Sequence, residues 1–251
     1  MEYLAKLIDK QFVAHRTRSL VFETPKGFSF KAGQYVVIQL PEEACTAIEG
    51  PEGVTDPIRE IVPLKEQMRS MSIDGVPGAP SLAITYRLSD SLHKKVIEEL
   101  PLGSMFRLKG PYGRFVYRDD STKKHIFLAG GIGITPVRSI ILDQLGKGNT
   151  IPMSLVYSSK TLDDFAYLGE FEHLAHEKKL TFYPTITREA PEGWKYETGR
   201  ISPAMIKIAC QEDYANSLFY LVGHNEFVEQ LSFELETLGV AKENIIFENF
   251  W

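Results

Sequence analysis

The stretch FLAGGIGITPVRSI runs an apolar segment into Gly130-Gly131-Ile132-Gly133 and then into Thr135-Pro136 at the head of a helical pattern. Glycines let a backbone turn tightly and approach a diphosphate. Pro136 suits the first helical position, and a helix start turns unpaired N–H groups and the positive end of the dipole toward an anion. The chemistry this permits is phosphate binding. The turn is equally well explained as a strand-to-helix connection in which glycine packs against a sheet. Arg69, in Arg69-Ser70-Met71-Ser72, carries a planar, permanently charged fork suited to a phosphate. Taken alone it also reads as a strand arginine in a surface ion pair.

Other chemistries are set aside by spacing. Gly146-Lys147-Gly148 does not make a nucleoside-triphosphate loop, and no Gly-x-Ser-x-Gly nucleophile turn occurs. His173 and His176 beside Glu172 read as a solvated helix face, so no metal is expected. Cys45 and Cys210 are too few for a disulfide framework or a four-thiolate iron–sulfur cluster.

The elements that must position these residues fall into two textures. Residues 3–7, 19–23, 35–40, 68–73, 82–88 and 105–109 read as strands, rich in β-branched and aromatic residues between Gly and Pro punctuation. They predict a small antiparallel barrel. SLHKKVIEEL interrupts them with a helix that places Leu92, Val96, Ile97 and Leu100 on one face, ended by Pro101 and Gly103. Residues 42–65 read as a long inserted loop. After residue 120 the chain alternates apolar strands with amphipathic helices, including LDDFAYLGEFEHLA, and closes with a strand over 244–247. That alternation predicts a parallel sheet wrapped by helices.

A length of 251 residues accommodates two domains, and 43% apolar with 24% charged residues is the balance of a folded globular chain. The net charge of −5 gives no basic excess, so nucleic acid is not an expected partner. No apolar run reaches membrane-spanning length and MEYLAKLIDKQF does not read as a signal peptide, so a cytoplasmic location and no membrane insertion are expected.

Six pieces, in this order, resemble the ferredoxin-NADP reductase family: Lys31-Ala32-Gly33-Gln34-Tyr35, Arg69-Ser70-Met71-Ser72, Gly110-Pro111-Tyr112-Gly113-Arg114-Phe115, residues 129–136, Gly199-Arg200-Ile201 and Glu248-Asn249-Phe250. The resemblance covers nearly the whole chain. It implies a flavin-binding β-barrel over 1–118 and a nucleotide-binding α/β domain over 122–251, with the active site in the cleft between them.

Carried over residue by residue, the resemblance gives Arg69 to the flavin phosphate and Ser72 to the isoalloxazine edge, with Ser70 and Met71 completing the motif. Met71 stands where the family has an aromatic, so a stacking ring and a hydroxyl are lost, and a plain core methionine is as good a reading as a ring contact. Ser89, then Ser91, are candidates for the flavin diphosphate, or simply N-cap residues. Gly110, Tyr112 and Gly113 become domain-joining and flavin-adjacent. Gly130, Gly131, Gly133, Thr135, Pro136 and Gly223 line the nicotinamide nucleotide. Thr187 and Arg188 suit a ribose 2′-phosphate, which favours NADPH over NADH. Asp163 and Asp164 are the carboxylates that would favour an unphosphorylated ribose, or else they open the next helix.

Where the family often has Cys-Gly, this chain reads Val222-Gly223-His224, with His224 expected in solvent. Phe250 or Trp251 is placed to cover the flavin, or to fill a groove. Ser72, Thr135 and Glu248 are the implied catalytic residues. The cofactor is FAD in preference to FMN, with NADPH or NADH as cosubstrate. The expected activity passes a hydride from nicotinamide to flavin and electrons onward to ferredoxin, flavodoxin or an oxygenase component. The alternatives are a reductase of free flavin and a flavin-binding electron-transfer subunit without turnover.

Overall fold

Alternation of inward and outward side chains builds the first half. In the computed structural model, which describes residues 1–41, 44 and 67–250, β1 (Glu2–Ala14) turns Ala5 and Leu7 inward and leaves Leu4 and Lys6 outside. It is followed by β2 (Thr17–Glu23), β3 (Tyr35–Gln39), β4 (Met68–Ser72), β5 (Ser81–Arg87) and β6 (Met105–Tyr112). They form one sheet in the order β4-β3-β6-β1-β2-β5, every neighbouring pair antiparallel. The sheet curls closed where Ile73 bridges Ile84 and the Asp74 N–H donates to the Ala83 carbonyl at 3.1 Å. Leu7, Leu20, Phe22, Ile38, Ile84, Phe106 and Leu108 fill the interior with no exposed surface. The inserted loop expected over 42–65 and Cys45 lie outside the described residues, apart from Ala44.

The helix α1 (Leu92–Glu99) lies against this barrel through Ile97. Its end is held from outside: the Lys10 ammonium donates to the carbonyls of Ile97, Glu98 and Leu100 at 2.6, 3.0 and 2.6 Å. A cation there satisfies carbonyls the helix cannot and opposes the negative end of its dipole.

Period-3.6 and strand patterns then alternate. The order is β7 (Lys124–Gly130), α2 (Ile134–Gly146), β8 (Met153–Ser159), α3 (Leu168–His176), β9 (Thr181–Ile186), β10 (Glu197–Thr198), α4 (Pro203–Cys210), β11 (Ser217–His224), α5 (Asn225–Thr237) and β12 (Ile245–Phe250). The sheet order is β10-β9-β8-β7-β11-β12, all parallel. Both faces are covered, which is why β8 is buried along its whole length and β11 at every residue but His224. From β7 the chain runs to one side through β8 and β9, then crosses to the other side at β11. The carboxyl ends of β7 and β11 therefore flank a topological switch point, where ligands of such sheets bind.

Three expectations are corrected. The last strand begins at Ile245 and runs to Phe250, because residues 242–244 form a 3-10 turn. LDDFAYLGEFEHLA is not one helix. Leu162–Asp164 is a 3-10 turn, Tyr167 sits at φ 62°, and α3 starts only at Leu168. The break follows from where the side chains go: Asp164 binds Arg87 of the barrel at 2.6 Å while Phe165 enters the core of the second half, edge-on to Tyr157. Pro136 is the third residue of α2, because a 3-10 turn over Gly131–Gly133 precedes the helix. No helix among the described residues is long and apolar enough to cross a membrane.

The α1 cap gives a test of how the barrel is assembled. Lys10→Met keeps the aliphatic stem but leaves three carbonyls without their donor. It is expected to lower unfolding free energy by about 1–3 kcal/mol in urea titration, with loss of α1 helicity.

Candidate functional site

The glycine turn divides its labour between packing and an open face. A Cβ on Gly133 would lie 2.4 Å from the Val222 carbonyl oxygen, so only glycine lets the turn rest against β11. Phe227 of α5 lies across the ends of β7 and β11. A Cβ on Gly130 would meet its ring at 3.1 Å, and one on Gly223 at 2.7 Å. Gly131 differs: its φ is +55° and a Cβ there would meet nothing within 4 Å. Packing thus accounts for Gly130, Gly133 and Gly223, while Gly131 faces open space at the mouth of the switch point. No side chain caps the turn or α2, leaving its N-terminal N–H groups toward that space. Thr135 is buried and its hydroxyl donates to the Ile132 carbonyl at 2.9 Å, tying the turn together.

Further along the same sheet edge, Thr187 and Arg188 are exposed at the end of β9. Their N–H groups donate to the carbonyls of Ser159 and Lys160, at 2.9 and 3.1 Å. Lys160 is therefore a second cation beside Arg188 that the sequence reading did not pick out. Asp163 and Asp164 do not open a helix. The Asp163 carbonyl accepts from the His15 N–H at 2.7 Å and the Asp164 carboxylate takes Arg87, so both fasten the barrel to the second sheet. His224 is exposed, as expected, and its ring caps α5 by accepting from the Phe227 N–H at 3.3 Å.

On the barrel side, Ser72 pairs with Tyr35 and Tyr35 with Tyr112, a single row across β4, β3 and β6. The Tyr35 and Tyr112 rings lie 5.8 Å apart. Gln34 stitches the row together: its carbonyl accepts from the Ile73 N–H at 3.0 Å and its side-chain amide donates to the Gly113 carbonyl at 3.3 Å. Gly110 and Gly113, at φ +138° and +102°, turn the strand end toward the second half. Met71 points into the barrel core and is 7% exposed, so of its two readings the core one describes where it sits. Ser70 lies on the exposed face.

Arg69 belongs to a crowded group of cations. Burial, then the charges of Arg69 and Arg87, hold the Lys94 ammonium below its ordinary pKa. Lys94 sits in the first turn of α1, whose N-cap Ser91 makes no side-chain capping bond, with the exposed Ser89 hydroxyl 3.4 Å from that of Ser91. Positive groups at an uncapped helix start make a setting for an anion. Lys94 was missed because a lysine on a helical pattern reads as a solvated face.

The two halves meet at Glu248. It pairs with Val222, which pairs with Ala129, and its Oε1 lies 3.6 Å from where a Gly113 Cβ would stand. Its Oε2 is buried without a hydrogen-bond partner, and burial lifts the carboxyl to about 7. Phe250, two residues on, is partly buried against the core of the second half, and Trp251 lies outside the described residues. Among the described residues no cluster of His, Cys, Asp and Glu is arranged for a metal.

Residues 127–232 match the family model described as oxidoreductase NAD-binding domain. The chain is 28% identical over 203 residues to ferredoxin–NADP reductase B of Sorangium cellulosum, covering 78% of this chain and 74% of that one. It is 27% identical over 221 residues to nitrate reductase [NADH] 1 of Arabidopsis thaliana, covering 80% of this chain but only 23% of that protein. Other relatives are also longer, the chain spanning 37–61% of their lengths. In three dimensions it resembles the flavohem-like FAD/NAD-binding domain of nitric oxide dioxygenase from Vibrio cholerae, with a TM-score of 0.78 at 20% identity, covering 99% and 98% of the two chains.

Two outcomes test this geometry without any ligand. Gly133→Ala is expected to cost about 1–3 kcal/mol in chemical unfolding. Gly146→Ala, at the open end of α2, is expected to be neutral or stabilising by up to about 1 kcal/mol. Glu248 holds its proton more tightly folded, at about 7, than its ordinary 4.5, so the folded state binds more protons between those values. Stability should fall as pH rises through that window, and Glu248→Gln should flatten this component of the thermal-unfolding profile.

Proposed function

We propose, for a chain that belongs to the ferredoxin-NADP reductase-like family of oxidoreductases, that it is a flavoenzyme taking electrons from NADPH through FAD to a protein acceptor. The observation that carries this reading is the meeting at Gly113 and Glu248 of two rows: Ser72–Tyr35–Tyr112 on the barrel and Ala129–Val222–Glu248 on the parallel sheet. A flavin held by the first row and a nicotinamide held at the second would have their reactive atoms in one place, which is most of what hydride transfer asks of a protein.

The residues fit these groups. Arg69, Lys94 and the start of α1, with Ser89 and Ser91, form the cationic seat for the flavin diphosphate, and an anion there relieves the mutual repulsion around Lys94. Ser72, buried at the end of β4, is placed to bond the ring edge. Tyr35 and Tyr112 offer aromatic surface beside it. Gly131 and the uncapped turn receive the nucleotide diphosphate, with Thr135 holding the turn and Glu248 Oε2 available for a hydrogen bond to the nicotinamide amide. FAD, when bound, supplies a two-electron acceptor able to release electrons singly. Arg188 and Lys160 at neighbouring strand ends favour the 2′-phosphate of NADPH over NADH.

The acceptor is a one-electron protein of the ferredoxin, flavodoxin or oxygenase-component kind, reached from a cytoplasmic enzyme. One observation favours a second reading, a reductase of free flavin: Met71 lies in the barrel core, so one stacking ring is missing and flavin is held less tightly. Retention of yellow flavin through gel filtration separates the two, since a resident cofactor stays and a substrate washes off.

Flavin binding is tested by titration of the flavin-free protein. Arg69→Ala and Lys94→Ala are each expected to weaken FAD by about 10- to 100-fold, the value of a charge-assisted hydrogen bond. Unchanged affinity in both would place the diphosphate elsewhere. Arg188→Ala should reduce affinity for NADPH while leaving NADH unchanged, and equal loss for both would remove the NADPH preference.

A further inference from the structure

The flavin strand and the nucleotide helix are joined directly by a buried polar cluster. Asp74, two residues beyond Ser72, is fully buried; its Oδ2 accepts from the Tyr167 hydroxyl, and its Oδ1 has no partner. The Tyr167 hydroxyl also bonds Thr85 of β5 at 2.7 Å. Arg138, one turn beyond the glycine turn, donates from Nη1 to the Asp74 carbonyl at 2.8 Å. It also grips Glu170 from Nε and Nη2 at 2.5 and 2.9 Å, and its guanidinium lies 4.2 Å from the centre of the Tyr167 ring. The next residue, Ser139, donates to the Gly75 carbonyl at 2.6 Å.

This cluster is an expensive way to hold two sheets together. A buried carboxylate with one oxygen unsatisfied forfeits hydration that one tyrosine and a nearby arginine only partly return, and apolar packing of the same volume often costs less. Tyr167 is held in the left-handed region, at φ 62°, a conformation strained for a residue with a Cβ. What the cluster provides in exchange is direction, because the bonds at Asp74, Gly75 and Thr85 fix the barrel against Tyr167, Arg138 and Ser139, while the Arg138–Glu170 pair locks α2 to α3.

We propose that Asp74, Tyr167 and Arg138 are positioning residues: their cluster sets the separation between the flavin strand β4 and the nucleotide helix α2, and with it the approach of nicotinamide to flavin. The inference rests on the functional reading above. Removing a bond in the cluster leaves each cofactor seat intact, since Arg69, Lys94 and Gly131 lie outside it, but loosens their relative placement.

Two measurements on Tyr167→Phe test this. The first needs no cofactor: nitroxide labels on Lys26→Cys and Glu229→Cys, in a Cys45→Ser background, report the distance between barrel and nucleotide domain by pulsed electron resonance. The parent protein is expected to give one narrow distribution and Tyr167→Phe a broader or shifted one. The second is single-turnover flavin reduction by NADPH in the FAD-loaded protein. It is expected to slow by about 10- to 100-fold, the cost of a misplacement near 1 Å, while the dissociation constants of FAD and NADPH stay within about twofold. Asp74→Asn with Tyr167 intact, which still accepts from the Tyr167 hydroxyl, should keep most of the parent rate. If Tyr167→Phe does not fold, Ser139→Ala serves in its place. An unchanged distance distribution overturns the proposal, as does a changed distribution with an unchanged rate. A parent protein that binds FAD yet is reduced by neither nucleotide refutes the functional reading, and the distance measurement still decides whether the cluster sets domain placement.

Discussion

The backbone of Gly133 lies so close to the Val222 carbonyl that no other residue fits there. Much of the molecule's arrangement depends on that approach. It allows β7 to turn into α2 beside β11, at the point where the sheet order reverses. It leaves the uncapped end of the turn facing the crevice, and it aims Arg138 and Ser139 at the loop following β4. A side chain at position 133 would push α2 away from β11 and separate at once the uncapped end of the helix from the barrel it touches.

Electrostatics complements this geometry with opposite characters at the two seats. Around Lys94 the protein gathers positive charge beside a helix start and pays in a depressed ammonium pKa, an arrangement that makes sense when an anion joins it. At Glu248 it buries a carboxyl with one oxygen unused, lifting its pKa to about 7. The first feature suits a diphosphate. The second leaves a group whose charge changes near neutral pH at the junction of the two halves.

The sequence made the architecture legible because both textures are local. Runs of β-branched and aromatic residues between Gly and Pro marked the barrel, and alternating strands and amphipathic helices marked the parallel sheet; the antiparallel barrel and the α/β half both stand in the structure and in its likeness to the Vibrio cholerae domain. The glycine turn was legible as a turn, but its division between packing glycines and the open Gly131 depends on Phe227 and Val222, residues about ninety positions away. Lys94 was hidden by its ordinary helical setting. Asp74 and Tyr167 lie 93 residues apart and belong to no periodic pattern, so their pairing exists only once the two sheets are in contact. The break before α3 was missed for the same reason, because Asp164 answers to an arginine on the barrel.

In the proposed function, one crevice brings nicotinamide and flavin together for direct hydride transfer. Stopped-flow reduction of the FAD-loaded protein under anaerobic conditions, comparing NADPH with NADPH deuterated at C4, tests it most directly. Stoichiometric flavin bleaching is expected, one equivalent of NADPH per flavin, slowed by deuterium on one face of the nicotinamide only. Bleaching that ignores the isotope on both faces, or no bleaching with saturating NADPH bound, would contradict it.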